Sequence, residues 1–315
     1  MGHFCVDKIP IPAAAVYAMK AYKGILLLLV AELCFTLSSV FGKLATNLAP
    51  ITGIEVSFFR YLIGSVAVII YMRWKGVSIR PNNMRLVVLR GVSNTLAVLL
   101  FFTGIEYGTV TNANMLNLTY PFFVFFFSPF INGEKSRLVN LAWIGAALAG
   151  VYLIVVPDFH HVSSGDLFAL ASGFVAGFGI CYLREARKFD DSDIILFYLM
   201  VPGMFISLVA MLPSFIMPEG PVLVYTLVSG AIAVTGQMFI TVGYRYIEAA
   251  AGSIVSGSRI LYAGIIGVTF FADPFTNRIL AGALLIFVAL VGVSGIWKKR
   301  AARAHDSSGY YDSSA

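Results

Sequence analysis

Residues 91–134, GVSNTLAVLLFFTGIEYGTVTNANMLNLTYPFFVFFFSPFINGE, decide how the chain is organised, because a weaker copy of the same pattern occupies residues 230–273. Moving 139 residues along the chain, from 91 to 230, lays Gly91 on Gly230, Gly104 on Gly243, Tyr107 on Tyr246 and Glu134 on Asp273. The same shift lays the run Asn114, Asn117, Tyr120 on Ser253, Ser256, Arg259. Members of each run stand three residues apart, so on a helix of ~3.6 residues per turn they fall within about 120° of one another. Each segment carries a polar stripe on an otherwise apolar helix. Two such stripes at matching places in two copies point to a solute site where the copies meet.

Of the 315 residues, 59% are hydrophobic and 12% charged, whereas a soluble globular domain carries roughly 25% charged residues. The solvent is therefore lipid. About ten apolar runs recur with short polar breaks, each near the ~20 residues that a spanning helix needs. A closed β-barrel would instead show strands of alternating character, unlike the continuous apolar runs Gly24 to Val30 and Phe122 to Phe127. The net charge of +6 gathers in short loops and the C-terminal tail, which sets orientation in a bilayer and implies no nucleic-acid partner. Cys5, Cys34 and Cys181 lie far apart, and His160 and His161 share a loop with no carboxylate at ligand spacing. Neither a disulfide framework nor a metal site is expected, and no cofactor is implied.

In order, residues 1–21 read as a cytosolic lead without a signal-peptide pattern. Helices are predicted from about Tyr22 to Ala45, Gly53 to Arg73, Met84 to Tyr107, Thr109 to Asn132 and Val139 to Val156, a first five-helix repeat over 22–156. A second repeat over 157–297 holds helices from about Asp166 to Leu183, Ile194 to Ile216, Pro221 to Tyr246, Ala249 to Ala272 and Arg278 to Trp297. The tail, 298–315, is basic and then Ser-rich, a composition that favours disorder. Lys and Arg concentrate before the first helix and after the second, fourth, sixth and tenth, with Arg278 the clear exception. These positions share one side if ten spans are right, which puts both termini in the cytosol. Five is odd, so the second repeat enters the membrane in the opposite sense. The expected fold is all-α and integral to the membrane, with ten transmembrane helices in two inverted five-helix repeats.

Among polar residues inside lipid, Arg259 is the strongest signal, since an Arg at mid-helix costs about 2.5 to 3.5 kcal/mol on insertion scales. It either faces a hydrated cavity, where its fork pairs a carboxylate or phosphate of a substrate, or it forms a structural pair with an acid such as Glu32. Asn114, Asn117 and Tyr120 either contact the solute or bond neighbouring helices. Pro121 frees a carbonyl near Asn117. Glu32, deep in the first helix, is a candidate for proton coupling or for an ion pair with Arg259 or Arg60. Ser256, Gln237, Tyr244 and Asn94 complete the expected lining. Arg60, Arg90 and Lys43 lie within about two turns of a helix end and read as interfacial anchors. Gly173 with Gly177, and Ala146 with Gly150, read as close helix packing, with a dimer surface as the alternative.

No nucleotide-binding loop, HExxH, GxSxG or paired catalytic carboxylates occur in the sequence, so an enzyme is not expected. Several motifs are shared with a known family: Phe58-Phe59-Arg60, Leu89-Arg90-Gly91 and Gly133-Glu134 in the first half. In the second half they are Gly236-Gln237, Tyr244-Arg245-Tyr246, Arg259 with Gly267, and Ala272-Asp273. In this order, over about residues 22 to 297, the chain resembles the EamA-type ten-helix carriers of the drug/metabolite transporter superfamily. Ser256 and Gly257 depart from the aromatic and acidic residues that many relatives carry before this Arg. The resemblance implies a bacterial inner-membrane carrier with its site between the halves, similar to members that move amino acids, related metabolites or S-adenosylmethionine. The expected function is secondary transport of a small polar metabolite by alternating access, coupled by exchange or protons, in a monomer or homodimer. The alternative is a membrane receptor or sensor that binds a small ligand without moving it.

Overall fold

The computed structural model describes residues 13–108, 110–135, 138–155, 163–270 and 276–294. Every regular element among these is helical: α1 (Ala13–Leu48), α2 (Gly53–Lys75), α3 (Met84–Glu106), α4 (Val110–Asn117), α5 (Tyr120–Asn132), α6 (Leu138–Val155), α7 (Ser164–Ala186), α8 (Ser192–Met211), α9 (Gly220–Gly243), α10 (Ala249–Val255), α11 (Ser258–Phe270) and α12 (Asn277–Ser294). A single 3₁₀ turn, Leu212–Ser214, extends α8. Eight segments are long and apolar enough to cross a membrane, with α4–α5 and α10–α11 each counting as one. The helical stretches Leu138–Ile154 and Asn277–Val293 are apolar but shorter. The loop with His160 and His161, Asp273 and the tail lie outside the described residues.

Large apolar side chains point outward on many helices: Phe130 is 88% exposed and Phe270 82%. In water so much exposed apolar surface would drive association, and in lipid it is the ordinary surface of a span. Local sequence sets the ends. Thr52 and Glu55 form a capping box at the start of α2, Ser163 and Asp166 another at the start of α7, and Gly76 closes α2 in the left-handed conformation.

The most extensive packing pairs helices of the first half with helices of the second: α1 with α9, α3 with α7, α6 with α12 and α2 with α8. Glycines make this closeness possible. A Cβ on Gly91 would sit 2.3 Å from the Tyr198 carbonyl oxygen, and one on Gly230 would sit 2.7 Å from Ile63 and 3.3 Å from the Arg60 backbone. The two small-residue pairs are also used within the chain. A Cβ on Gly173 would lie 2.8 Å from the Leu116 carbonyl oxygen, one on Gly177 would lie 2.8 Å from Phe123, and one on Gly150 would lie 2.6 Å from the Gly282 carbonyl oxygen. These contacts account for the small residues by packing between helices of one molecule.

Candidate functional site

Two long segments are broken near their middles. The α4–α5 break falls at Leu118-Thr119, where Pro121 supplies no N–H and the turn is held by i→i+3 bonds from Thr119 N to Leu116 O (3.2 Å) and Phe122 N to Thr119 O (2.9 Å). The α10–α11 break falls at Ser256-Gly257, with similar bonds from Gly257 N to Ile254 O (3.0 Å) and Arg259 N to Ser256 O (3.1 Å). In the alignment of the two sequence copies these breaks coincide to within a residue or so. Tyr120 opens one following helix and Arg259 stands second in the other.

Around the second break the structure gathers a polar cluster. Arg259 donates from Nε to Glu32 Oε2 at 2.7 Å, and its Nη2 lies 2.7 Å from the same oxygen. Glu32 is fully buried, whereas the Arg259 side chain remains 34% exposed. Phe35, one turn along α1, lies beneath Arg259 at 5.0 Å and beneath Arg60 at 5.5 Å. The two guanidinium carbons are thus no further apart than those two distances laid end to end. Arg60 Nη2 donates to Gln237 Oε1 at 2.9 Å, and Asn94 donates to the Tyr61 hydroxyl at 3.0 Å. Tyr120 and Tyr244 are buried, and both stand in the electrostatic neighbourhood of Glu32.

Of the residues expected from sequence, Glu32, Asn94, Tyr120, Gln237, Tyr244, Ser256 and Arg259 meet in this region. Asn117 does not join them through its side chain, which donates to the Ser172 hydroxyl of α7 at 2.5 Å and so bonds a neighbouring helix. Asn114 lies one turn before Asn117 and its carbonyl receives the Leu118 N–H at 3.0 Å. The expectation that Arg60 and Arg90 are interfacial anchors is corrected. Arg90 is 3% exposed, with Gly179 backing one terminal nitrogen, and Arg60 has a buried Nε. Both point into the bundle because their helix faces oppose α7, α8 and α9, and snorkelling is open only to side chains that face outward. Lys43 is exposed. Phe35 and Tyr61 were not expected at all; an aromatic in an apolar segment carries no sequence signal of facing inward.

A second network closes one end of the bundle. Glu134, after α5, pairs with Arg184 of α7 at 2.9 Å and accepts the Ala249 N–H at 2.8 Å. Arg184 also donates to the Tyr244 and Arg245 carbonyls at 3.0 Å each, and Lys188 donates to the Asn132 carbonyl at 3.0 Å. Burial raises the Glu134 carboxyl above its ordinary value, while Arg184 and the Ala249 N–H pull it back.

A multi-helix apolar shell, broken helices facing one another and an internal polar cluster define a polytopic membrane protein built to handle a solute. Comparison with known proteins specifies the class. The model of the EamA-like transporter family matches twice, at residues 22–156 and 163–295, and the chain belongs to that family of integral membrane transporters. It is 25% identical over 279 residues to the pseudopaline exporter CntI of Pseudomonas aeruginosa strain UCBPP-PA14, covering 86% of this chain and 95% of that one. It is 23% identical over 290 residues to mouse solute carrier family 35 member G1, covering 86% and 78%. It is 22% identical over 277 residues to a riboflavin transporter of Rhizobium johnstonii, covering 87% and 92%. A solved crystal structure superposes with a TM-score of 0.71 at 15% identity over 92% of this chain and 99% of that one, which speaks for the fold.

Proposed function

We propose that this transporter is a secondary carrier for a small polar metabolite, with ten spans in two inverted five-helix repeats that rock about the Arg259 cluster. The single observation that carries the reading is the cluster itself. Glu32, Arg60, Asn94, Gln237 and Arg259 come from both halves and meet beside a helix break, where irregular backbone is tolerated in a membrane only against protein or a hydrated path. The shorter apolar helices α6 and α12 supply the ninth and tenth spans. Two-fold relation is supported by the packing. Exchanging α1, α2, α3 and α6 with α7, α8, α9 and α12 turns the α1–α9 pair into α7–α3 and α2–α9 into α8–α3, and leaves α2–α8 and α6–α12 in place. The relatives named as exporter or transporter favour transport over sensing.

Purified protein in proteoliposomes is to be loaded with amino acids, nucleotides or S-adenosylmethionine and assayed for counterflow. Exchange of at least one class is expected, and absence of flux for all of them in folded protein would overturn the reading. Topology has its own test. On a cysteine-free background, Ser164→Cys should react with an impermeant reagent outside intact cells and Ser307→Cys should not; equal labelling removes the inverted arrangement and the cytosolic termini.

A further inference from the structure

The charge balance of the cluster narrows the substrate. In the middle of the bundle, among the described residues, stand three guanidinium groups, Arg60, Arg90 and Arg259, and one carboxylate, Glu32. The other buried acids are occupied elsewhere: Glu55 and Asp166 cap the starts of α2 and α7, and Asp190, after α7, accepts the Asn82 and Asn83 backbone N–H groups. Glu32 neutralises Arg259. Among the described residues no carboxylate pairs with Arg60 or Arg90: Gln237 accepts from Arg60, the rings of Phe35 and Tyr61 lie beneath it, and Gly179 lies behind Arg90. Arg90 is buried and Arg60 is partly buried with its Nε enclosed, and charge withdrawn from water without a counter-charge is disfavoured.

The unmatched hydrogen-bonding atoms point the same way. Arg60 Nε, Arg90 Nε and Gln237 Nε2 are buried donors without partners. The Gln237 amide is oriented by Arg60, which takes its oxygen and leaves its NH₂ to donate elsewhere. On the acceptor side the second Glu32 oxygen is unmatched, and the buried hydroxyls of Tyr244 and Ser256 can serve either role. An inventory rich in N–H donors and in positive charge is complementary to oxyanions, which guanidinium forks bind in plane and in pairs.

Resting on the transport reading above, we propose that the substrate is a small anion bearing two or more negative charges, a dicarboxylate or a phosphomonoester, with Arg60 and Arg90 as its counter-charges. A cationic solute would add to an existing excess of positive charge, and like charges brought together at a desolvated site are strongly disfavoured. The S-adenosylmethionine-like end of the substrate range is thereby set aside.

The test uses the full chain. Thermal shift in detergent and counterflow in proteoliposomes are read with glutarate, citrate, phosphoserine and uridine monophosphate, against glutamine and lysine as neutral and cationic controls of similar size. At least one dianion should raise the melting temperature and exchange about tenfold or more faster than glutamine or lysine. The carboxylate and phosphate arms tell the two sources of charge apart. Arg60→Gln and Arg90→Gln should each abolish the preference, and Arg90→Lys, which keeps the charge and loses the fork, should retain part of it. Flux of glutamine or lysine with no response to any dianion overturns the charge inference and leaves the carrier reading standing. A dianion that binds without flux does the reverse. No shift and no flux with any of the four polyvalent anions, in wild-type protein of intact fold, overturns the inference without recourse to variants.

Discussion

The two broken helices occupy matching places in the two sequence copies but are finished differently. At the α4–α5 break the polar groups are consumed locally. Asn117 bonds Ser172, Thr119 bonds the Leu116 carbonyl at 2.6 Å, and Gly173 lets α7 lie against the freed carbonyls. At the α10–α11 break a charge is carried across to α1, and the Arg259 side chain remains partly exposed. One discontinuity is welded to its neighbour, while the other holds a charge in suspension. Of two related breaks, the one whose polar groups are not all spent is the better candidate for contact with a solute.

That contrast can be broken most sharply at Glu32. Glu32→Gln leaves Arg259 without its partner and should cost about 3 kcal/mol, the low end for breaking a buried pair because Arg259 is partly exposed. Denaturation in detergent measures it. Glu32→Gln with Arg259→Gln should regain most of that stability while transport stays low. A double variant with full transport would make the pair structural and remove Arg259 from substrate contact. Arg259→Lys should keep the fold but lower flux well beyond any loss of folded protein, since an ammonium cannot offer two donors in plane.

At the other break, Gly173→Val pushes a side chain into the Leu116 and Asn117 carbonyls and should destabilise by about 1–3 kcal/mol. Asn117→Ala should cost only about 0.5–1.5 kcal/mol and leave substrate affinity unchanged, as expected for one interhelical hydrogen bond. A large change in affinity with Asn117→Ala would place Asn117 in the site beside Tyr120.

The smallest effect expected is a pH dependence at Glu134. Its native carboxyl is held above the ordinary 4.5 by burial. As pH rises through that window the unfolded chain releases its proton first, so this group's share of stability is complete below the unfolded value and falls toward the native one. The difference in melting temperature between wild type and Glu134→Gln should therefore shrink or reverse across mildly acidic pH. A constant difference would show that Arg184 compensates burial fully.

Much of this architecture was legible in the chain. Apolar runs and their basic flanks mark α1, α2, α3, α7, α8 and α9 to within a turn at most ends, because in lipid the length of a span is set by the solvent. The start of α1 is the exception: the helix runs back to Ala13 through AAAVYAMKA, small and weakly apolar residues that fall within the expected lead. The breaks were half visible, through Pro121 and through Gly257 beside Arg259, yet each was expected as one continuous helix. The site was legible where depth alone is informative, as at Glu32 and Arg259. It failed at Arg60 and Arg90, because distance from a helix end is written in the sequence and the direction a side chain faces is decided by α7, α8 and α9, more than a hundred residues away in the case of Arg60.

The interleaving of the two halves bears on how the protein is made. Since α1, α2, α3 and α6 find their principal neighbours in α9, α8, α7 and α12, the first five hydrophobic segments leave the ribosome with little to pack against. Until residue 237 is synthesised, Arg60 lacks Gln237, and until residue 259 follows, Glu32 lacks Arg259. The nascent first half must wait in the bilayer with these groups hydrated or shielded by lipid head groups. Assembly is thus a late event, and truncations of the second half leave an orphan exposed to membrane quality control.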